Sequence, residues 1–292
     1  MIVKDIRPRG FCKGVHFAIE KVKQVLATDD YPRPIYILGY IVHNKHVVDE
    51  LTELGAITLD DHLVSRLDLI DAIDQGTIII SAHGTPIDVI EKIKEKGLSL
   101  VDATCQDVYV THDLIKAYLN KDYRVIYIGK KNHPETNASL SLGDDVYLVE
   151  KVEDIETLNI KEPIFVTNQT TFSIKDIFNI HQALKEQYED IVITEEICNA
   201  TRIRQNAIIQ ANSDDVDLSY IVGDKRSNNS RNLVKISENF THTKTKLIQS
   251  LNDINPEDLK GVKLVTVSSG ASTPEHLTKA VIEYLKNYSN EN

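Results

Sequence analysis

Short runs rich in β-branched and aromatic residues alternate along this chain with longer amphipathic stretches, and that alternation predicts its elements. Six runs have the nearly continuous apolar character of strands covered on both faces, and each ends in small and polar residues. They are PIYILG (34–39), TIIISAHG (77–84), YRVIYIGKKN (123–132), EPIFVTNQTT (162–171), LSYIVGDKRS (218–227) and KLVTVSSGAS (263–272). Between them apolar residues recur at helical spacing in FAIEKVKQVLA, DVIEKIKEKG, DLIKAYLNK, SIKDIFNIHQALKEQY and PEHLTKAVIEYLKNY. Strand, polar loop and helix in repeated succession predict an α/β protein with mainly parallel sheets and helical crossovers. No Gly/Ser linker or low-complexity segment divides the chain, so any domain boundaries are tight.

Composition narrows the class. With 292 residues, 41% hydrophobic and 26% charged, the chain can bury a substantial core and hold two or three small domains. Forty-four acidic against 33 basic residues give a formal charge of −11, which repels a phosphate backbone. The basic pairs Lys130–Lys131 and Lys225–Arg226 are too short to offset it, so no nucleic-acid partner is expected. No apolar stretch is long enough to span a bilayer, so no membrane partner is expected either. MIVKDIRPRG has no apolar leader core and the cysteine count is odd, which argues for reduced thiols and a cytoplasmic protein.

The three cysteines change the picture. Cys12, Cys105 and Cys198 stand 93 residues apart in both intervals. Each is followed by two polar loops that close predicted strands. The loops carry His43 and His83 in the first third, His133 with Glu135 and then Thr170 with Thr171 in the second, and Ser227 with Asn229 and then Ser272 in the third. The chain thus divides into units at 1–103 (Cys12, His43, His83), 104–196 (Cys105, His133, Glu135, Thr170) and 197–292 (Cys198, Ser227, Asn229, Ser272). Parallel sheets present functional residues at the carboxyl ends of their strands. Three such units facing one axis would bring the thiols and the six loops to one cavity. Taken singly, a lone cysteine is most often a small buried apolar residue, and a Ser/Asn loop is turn chemistry. A common register is what those ordinary readings leave unexplained.

Three thiolates from distant parts of the chain fill three positions of a tetrahedral zinc site or three corners of an iron–sulfur cluster, with one metal position left open. Thiolate softness suits both metals. The imidazole, hydroxyl and amide donors, with helix N-termini just after several loops, suit a phosphate or diphosphate without many lysines. Glu135 is the only acidic side chain in the NHPE loop and is the candidate proton carrier. The residues leave three classes open: a redox enzyme, a zinc-dependent hydrolase or lyase using Glu135 as base, and a non-catalytic phospholigand-binding or redox-sensing protein.

GFCKGV, IVHN, SAHG, DATC, NHPE, NQTT, EICNAT, KRSNNS and SSGAST, in this order from Arg9 to Pro274, closely resemble the 4-hydroxy-3-methylbut-2-enyl diphosphate reductase family. That family performs the last step of the non-mevalonate isoprenoid pathway. The resemblance implies a pseudo-threefold trefoil of α/β units around a 4Fe-4S cluster held by Cys12, Cys105 and Cys198, with one iron open to substrate. It implies diphosphate binding by His43, His83, Ser227, Asn229 and Ser272, with Asn228 beside them at a position of variable identity. His133 falls between diphosphate and proton relay. Thr170 and Glu135 match the pair that orients the substrate alcohol and delivers protons, with Thr171 and Thr201 behind them. The implied reaction is a reductive dehydroxylation of an allylic diphosphate to isopentenyl and dimethylallyl diphosphates. No flavin or nicotinamide fingerprint is present, so an external one-electron donor of the ferredoxin or flavodoxin type is expected. The chain departs from the family pattern at Gln106, where proline is usual, at Ala138, where glycine is usual, and at His16 and Phe17. Gln106 is expected to free the local backbone and to add a donor near the cluster.

Overall fold

A computed structural model describes residues 1–61, 63–212 and 215–291. In chain order its elements are β1 (Ile2–Asp5), α1 (Lys13–Ala27), β2 (Ile35–Leu38), α2 (Lys45–Glu53), β3 (Ile57–Leu59), α3 (Arg66–Asp71), β4 (Thr77–Ile80), α4 (Ile87–Glu95) and β5 (Ser99–Asp102). They continue through α5 (Gln106–Leu119), β6 (Arg124–Ile128), α6 (Pro134–Leu140), β7 (Val146–Val149), β8 (Ile164–Asn168), α7 (Ile174–Gln187) and β9 (Ile191–Ile193). The last are α8 (Asn199–Ala211), β10 (Leu218–Val222), α9 (Asn228–Thr241), β11 (Thr245–Ile248), β12 (Leu264–Ser269) and α10 (Glu275–Glu291).

The strands form three four-stranded sheets in which every pairing is parallel, as the alternation of strand and helix predicts. By their contacts the residues fall into two units. One comprises Met1–Lys13, His43–Val47 and Cys198–Asn292 and holds the sheet β11-β10-β12-β1. The other comprises Gly14–Val42 and Val48–Ile197 and holds the sheets β3-β2-β4-β5 and β7-β6-β8-β9.

All three sheets share one order. The first and third strands of each repeat lie at the centre, the second at one edge and the fourth at the other. In the sheet of the last third the fourth place is taken by β1, where Ile2 pairs with Leu264 and Asp5 with Val267. The repeat is therefore closed by the chain's own first strand, and residues 2–5 belong to the sheet built by residues 218–269.

The six apolar runs of the sequence are the six central strands. Covered on both faces by helices, β4, β8 and β10 are buried at every position. Edge strands are shorter and half-exposed, as in β3, where Ile57 is 44% exposed, and they carry no such signature. The two central strands of each sheet pack into one shared apolar core. Ile126, Ile128, Ile164 and Val166 meet Ile177, Ile180 and Leu184 of α7, and Tyr220, Val222, Val265 and Val267 meet Val281 and Leu285 of α10.

Ile126→Ala should cost about 2–5 kcal/mol, because it leaves a cavity in a closed core. Ile57→Ala should cost less than about 1 kcal/mol. Urea denaturation of the two variants tests this, and equal costs would contradict the distinction between central and edge strands.

Candidate functional site

Every candidate residue lies in the loop after a strand or in the first turn of the helix that follows it. The central strands of each sheet release the polar loops: β2 the loop of His43, β4 that of His83, β6 that of His133, β8 that of Thr170, β10 that of Ser227 and β12 that of Ser272. The fourth strand of each sheet releases a cysteine. Cys105 follows β5 and caps α5, Cys198 follows β9 and caps α8, and Cys12 follows β1 and directly precedes α1.

In the unit of residues 1–13, 43–47 and 198–292, hydrogen bonds run from one cysteine to another. The Cys12 N–H donates to the Ala271 carbonyl at 3.1 Å, and the Ala271 N–H to Asn229 Oδ1 at 3.0 Å. Asn229 Nδ2 donates to Thr201 Oγ1 at 3.2 Å, and the Cys198 thiol donates to the same oxygen at 3.2 Å. Both faces of the Asn229 amide are thereby assigned. Arg204, a turn and a half into α8, donates to the carbonyls of Ala200 at 2.9 Å and Gly10 at 2.8 Å.

The polar loops of this unit are built the same way. Ser227 caps α9, accepting from the Ser230 N–H at 3.2 Å, and buried Asn228 is the first helical residue. Ser272 Oγ donates to the His43 carbonyl at 3.0 Å. Buried Asp224 accepts from the Lys45 and Arg226 N–H groups, at 2.9 and 2.8 Å. His43 Nδ1 lies 2.9 Å from the Arg226 carbonyl, which only accepts, so Nδ1 carries the proton. Burial lowers the His43 pKa to about 4, so the ring is neutral at pH 7, and a bound anion would raise it.

The other unit holds His83, Cys105, His133, Glu135 and Thr170. The Cys105 N–H donates to the Ala82 carbonyl of the SAHG loop at 3.0 Å. The His83 ring meets the His133 ring edge to face, with centroids 5.4 Å apart. His133 caps α6, its Nδ1 accepting from the Glu135 N–H at 3.2 Å, which leaves the Nε2 proton to the neutral ring. That bond aims Glu135 at the loop after β8. Glu135 Oε1 accepts from the Thr170 N–H at 2.7 Å and Oε2 from its hydroxyl at 3.2 Å.

Glu135 is 2% exposed and has no cation beside it among the described residues. Burial pushes its pKa up to about 7 against the opposing bonds from Thr170, and the charge of Asp107 in the first turn of α5 adds to the rise. Tyr127 of β6 is buried beside it, and burial followed by the charge of Glu135 holds its hydroxyl well above the ordinary value. Asn168 and Gln169 shape the Thr170 loop. Asn168 Oδ1 accepts from the Glu196 N–H at 3.0 Å, Gln169 Oε1 accepts from the Lys130 N–H at 2.9 Å, and Gln169 Nε2 donates to Thr171 Oγ1 at 3.1 Å.

The departures from the family pattern are locally absorbed. Gln106 is exposed and is the first residue of α5, where proline is merely favoured, so a helix still starts there. The expected extra donor is at the surface. Ala138 is buried on α6, and a side chain on Gly84 would stand 3.3 Å from its methyl group. His16 and Phe17 are exposed on α1.

Three soft thiols, none in a disulfide among the described residues, suit a thiolate-ligated metal group. A Cβ on Gly14 would lie 2.4 Å from Cys105 Sγ, so the second glycine of GFCKGV keeps open a space that any side chain would fill. The donor set fits an iron–sulfur cluster or zinc alike. Sequence reasoning did not find Arg204, Asp224, Asn168, Gln169 or Tyr127. An arginine in RIRQ, six residues after Cys198 on the buried side of α8, is the one trace that could have been followed.

Comparison with known proteins decides the family. The family model described as "LytB protein" matches residues 3–286. The 4-hydroxy-3-methylbut-2-enyl diphosphate reductase of Symbiobacterium thermophilum is 46% identical over 294 residues, covering 100% of this chain and 99% of that protein. The protein of that name from Bacillus cereus is 46% identical over 290 residues, covering 99% and 91%. The solved structure of the E-1-hydroxy-2-methyl-but-2-enyl-4-diphosphate reductase from Plasmodium falciparum superposes with a TM-score of 0.91 at 34% identity, covering 98% of this chain and 88% of that one. A motif order read from nine short loops and a match along almost the entire length lead to the same place: this chain belongs to the LytB family, that of the 4-hydroxy-3-methylbut-2-enyl diphosphate reductases.

Proposed function

We propose that this chain catalyses the two-electron reductive dehydroxylation of 4-hydroxy-3-methylbut-2-enyl diphosphate to isopentenyl and dimethylallyl diphosphates. The observation that carries the reading is the buried Glu135–Thr170 pair. A carboxyl group near its half-protonated point at pH 7, held by two bonds to one threonine, is suited to giving up a proton in a site shielded from water. The family names support the substrate.

The LytB family is iron–sulfur dependent, and Cys12, Cys105 and Cys198 are the residues that would hold a 4Fe-4S cluster, three ligands with one iron open. When bound, that group supplies single-electron transfer and a Lewis-acidic iron. The chain's own residues do the rest. His43, His83, Ser227, Asn229 and Ser272, with Asn228 at the start of α9, take the diphosphate, His133 donates from Nε2, and Thr170 orients the alcohol. Glu135 passes protons to the departing hydroxyl and to the carbon skeleton. The balance is one allylic alcohol, two electrons and two protons giving one water and one alkene in which the double bond is kept or shifted and the C–O bond is replaced by C–H. The electrons come singly from an external ferredoxin- or flavodoxin-type donor. The same reading divides the chain into repeats at 1–103, 104–196 and 197–292, and the thiols without disulfides support a cytoplasmic setting.

Glu135→Gln should keep its fold and cluster, since an amide can accept from the Thr170 N–H and donate to its hydroxyl, yet lose about 100-fold or more in turnover. In the parent protein the folded chain keeps this proton to about pH 7, whereas an unfolded one releases it near 4.5. Its contribution to stability therefore falls as pH rises between those values, and Glu135→Gln should flatten that slope in denaturation curves. Near-parental turnover would remove Glu135 from the proton path.

Cys105→Ser should fail to assemble a full cluster. Gly14→Ala should fold but hold less iron and sulfide, because the new methyl collides with a Cys105 sulfur that cannot swing away once it is a ligand. Iron and sulfide assays on anaerobic preparations check both, and a full complement in Cys105→Ser would overturn the ligand assignment.

A further inference from the structure

Two arginines are buried in the unit of residues 1–13, 43–47 and 198–292, and their surroundings differ. Arg9, with a side chain 3% exposed, has two carboxylates, Asp5 at 2.6 Å from Nε and Glu275 at 3.6 Å from Nη1. Arg204 is 4% exposed and has none within ion-pair distance among the described residues. Its fork holds two neutral carbonyls, Ala200 and Gly10, and its Nε has no hydrogen-bond partner among the described residues. A guanidinium taken out of water without a counter-charge costs several kcal/mol, so its retention calls for an anion. Burial lowers the Arg204 pKa, and the groups that oppose it are the sulfurs of Cys12 and Cys198, whose negative charge when they are ionised favours the cationic form. Position says the same. Gly10 lies two residues before Cys12, Ala200 two residues after Cys198, and one side chain grips both.

We propose that Arg204 is a positioning residue that supplies the fixed counter-charge of the cluster and thereby raises its reduction potential. Three thiolates on an iron–sulfur core leave the assembly anionic, and each electron received adds a negative charge. A buried cation beside two of the ligands stabilises the reduced form more than the oxidised one, in surroundings where charges are poorly screened. The two carbonyl bonds fix the cation relative to both ligand loops.

This inference rests on the cluster reading above, and the test separates the two. Arg204→Met, Arg204→Gln and Arg204→Lys are purified anaerobically beside the parent. Iron and sulfide are assayed, and the cluster midpoint is measured by redox titration followed spectroscopically. Arg204→Met and Arg204→Gln should shift the redox equilibrium about tenfold toward the oxidised form, a midpoint about 59 mV more negative for one electron, while Arg204→Lys stays near the parent. Loss of the cluster from the Met and Gln variants with retention in the Lys variant also supports the charge. An unchanged midpoint in Arg204→Met, or equal loss of cluster from all three variants, overturns it in favour of a purely structural clamp. A parent protein that never holds iron and sulfide defeats the cluster reading itself, and this inference with it.

Discussion

Desolvation of ionisable groups is the constraint on which the rest of this molecule depends. Glu135 has 2% of its surface exposed and, among the described residues, no cation beside it, so burial pushes its pKa to about 7. Arg204 is the complementary case, a cation with 4% of its surface exposed and two carbonyls in place of a carboxylate. Each is tolerable because hydrogen bonds with fixed backbone groups hold it, Glu135 accepting from an N–H and Arg204 donating to carbonyls. Thr170 is placed by Asn168 and Gln169 at the end of β8, and Gly10 by Ser269, whose hydroxyl accepts from the Gly10 N–H at 2.9 Å. Such groups keep their perturbed states only where a rigid backbone holds them out of water, which is what the carboxyl ends of doubly covered parallel strands provide.

The repeat explains how one architecture places so many polar groups. In each sheet two central strands release donor loops that run into helix N-termini, and an edge strand releases a cysteine that precedes a helix of 13 to 15 residues. Ser227 and His133 are themselves helix caps, so the donors that fix the backbone also line the loops. Supplying the last edge from β1 sets Cys12 in the same relation to its sheet as Cys105 and Cys198.

What the sequence made legible follows from where burial is total. The central strands announce themselves as unbroken apolar runs, whereas the edge strands β1, β3, β5, β7, β9 and β11 are three or four residues long and only partly covered. Helices with an apolar inner face, such as α7, were readable. α8 and α9 were not, because their inner faces bury Thr201, Arg204 and Gln205, and Asn228, Asn229, Ser230, Asn232 and Ser237. Those polar residues lower the apolar content of the inner faces, so neither helix shows a continuous apolar stripe. The same cause hid Arg204, Asp224, Asn168 and Gln169, whose roles depend on partners distant in sequence. Glu135 and Thr170 were legible only through their motifs, and their direct contact and the depth of their burial required coordinates.

The account stands or falls on whether a cluster and the carboxyl group work on one substrate. Anaerobically purified protein should be brown, contain iron and sulfide, and oxidise a reduced viologen dye only when 4-hydroxy-3-methylbut-2-enyl diphosphate is added, releasing isopentenyl and dimethylallyl diphosphates. A colourless, zinc-loaded protein, or one that holds its cluster yet leaves the dye reduced with substrate present, would contradict it.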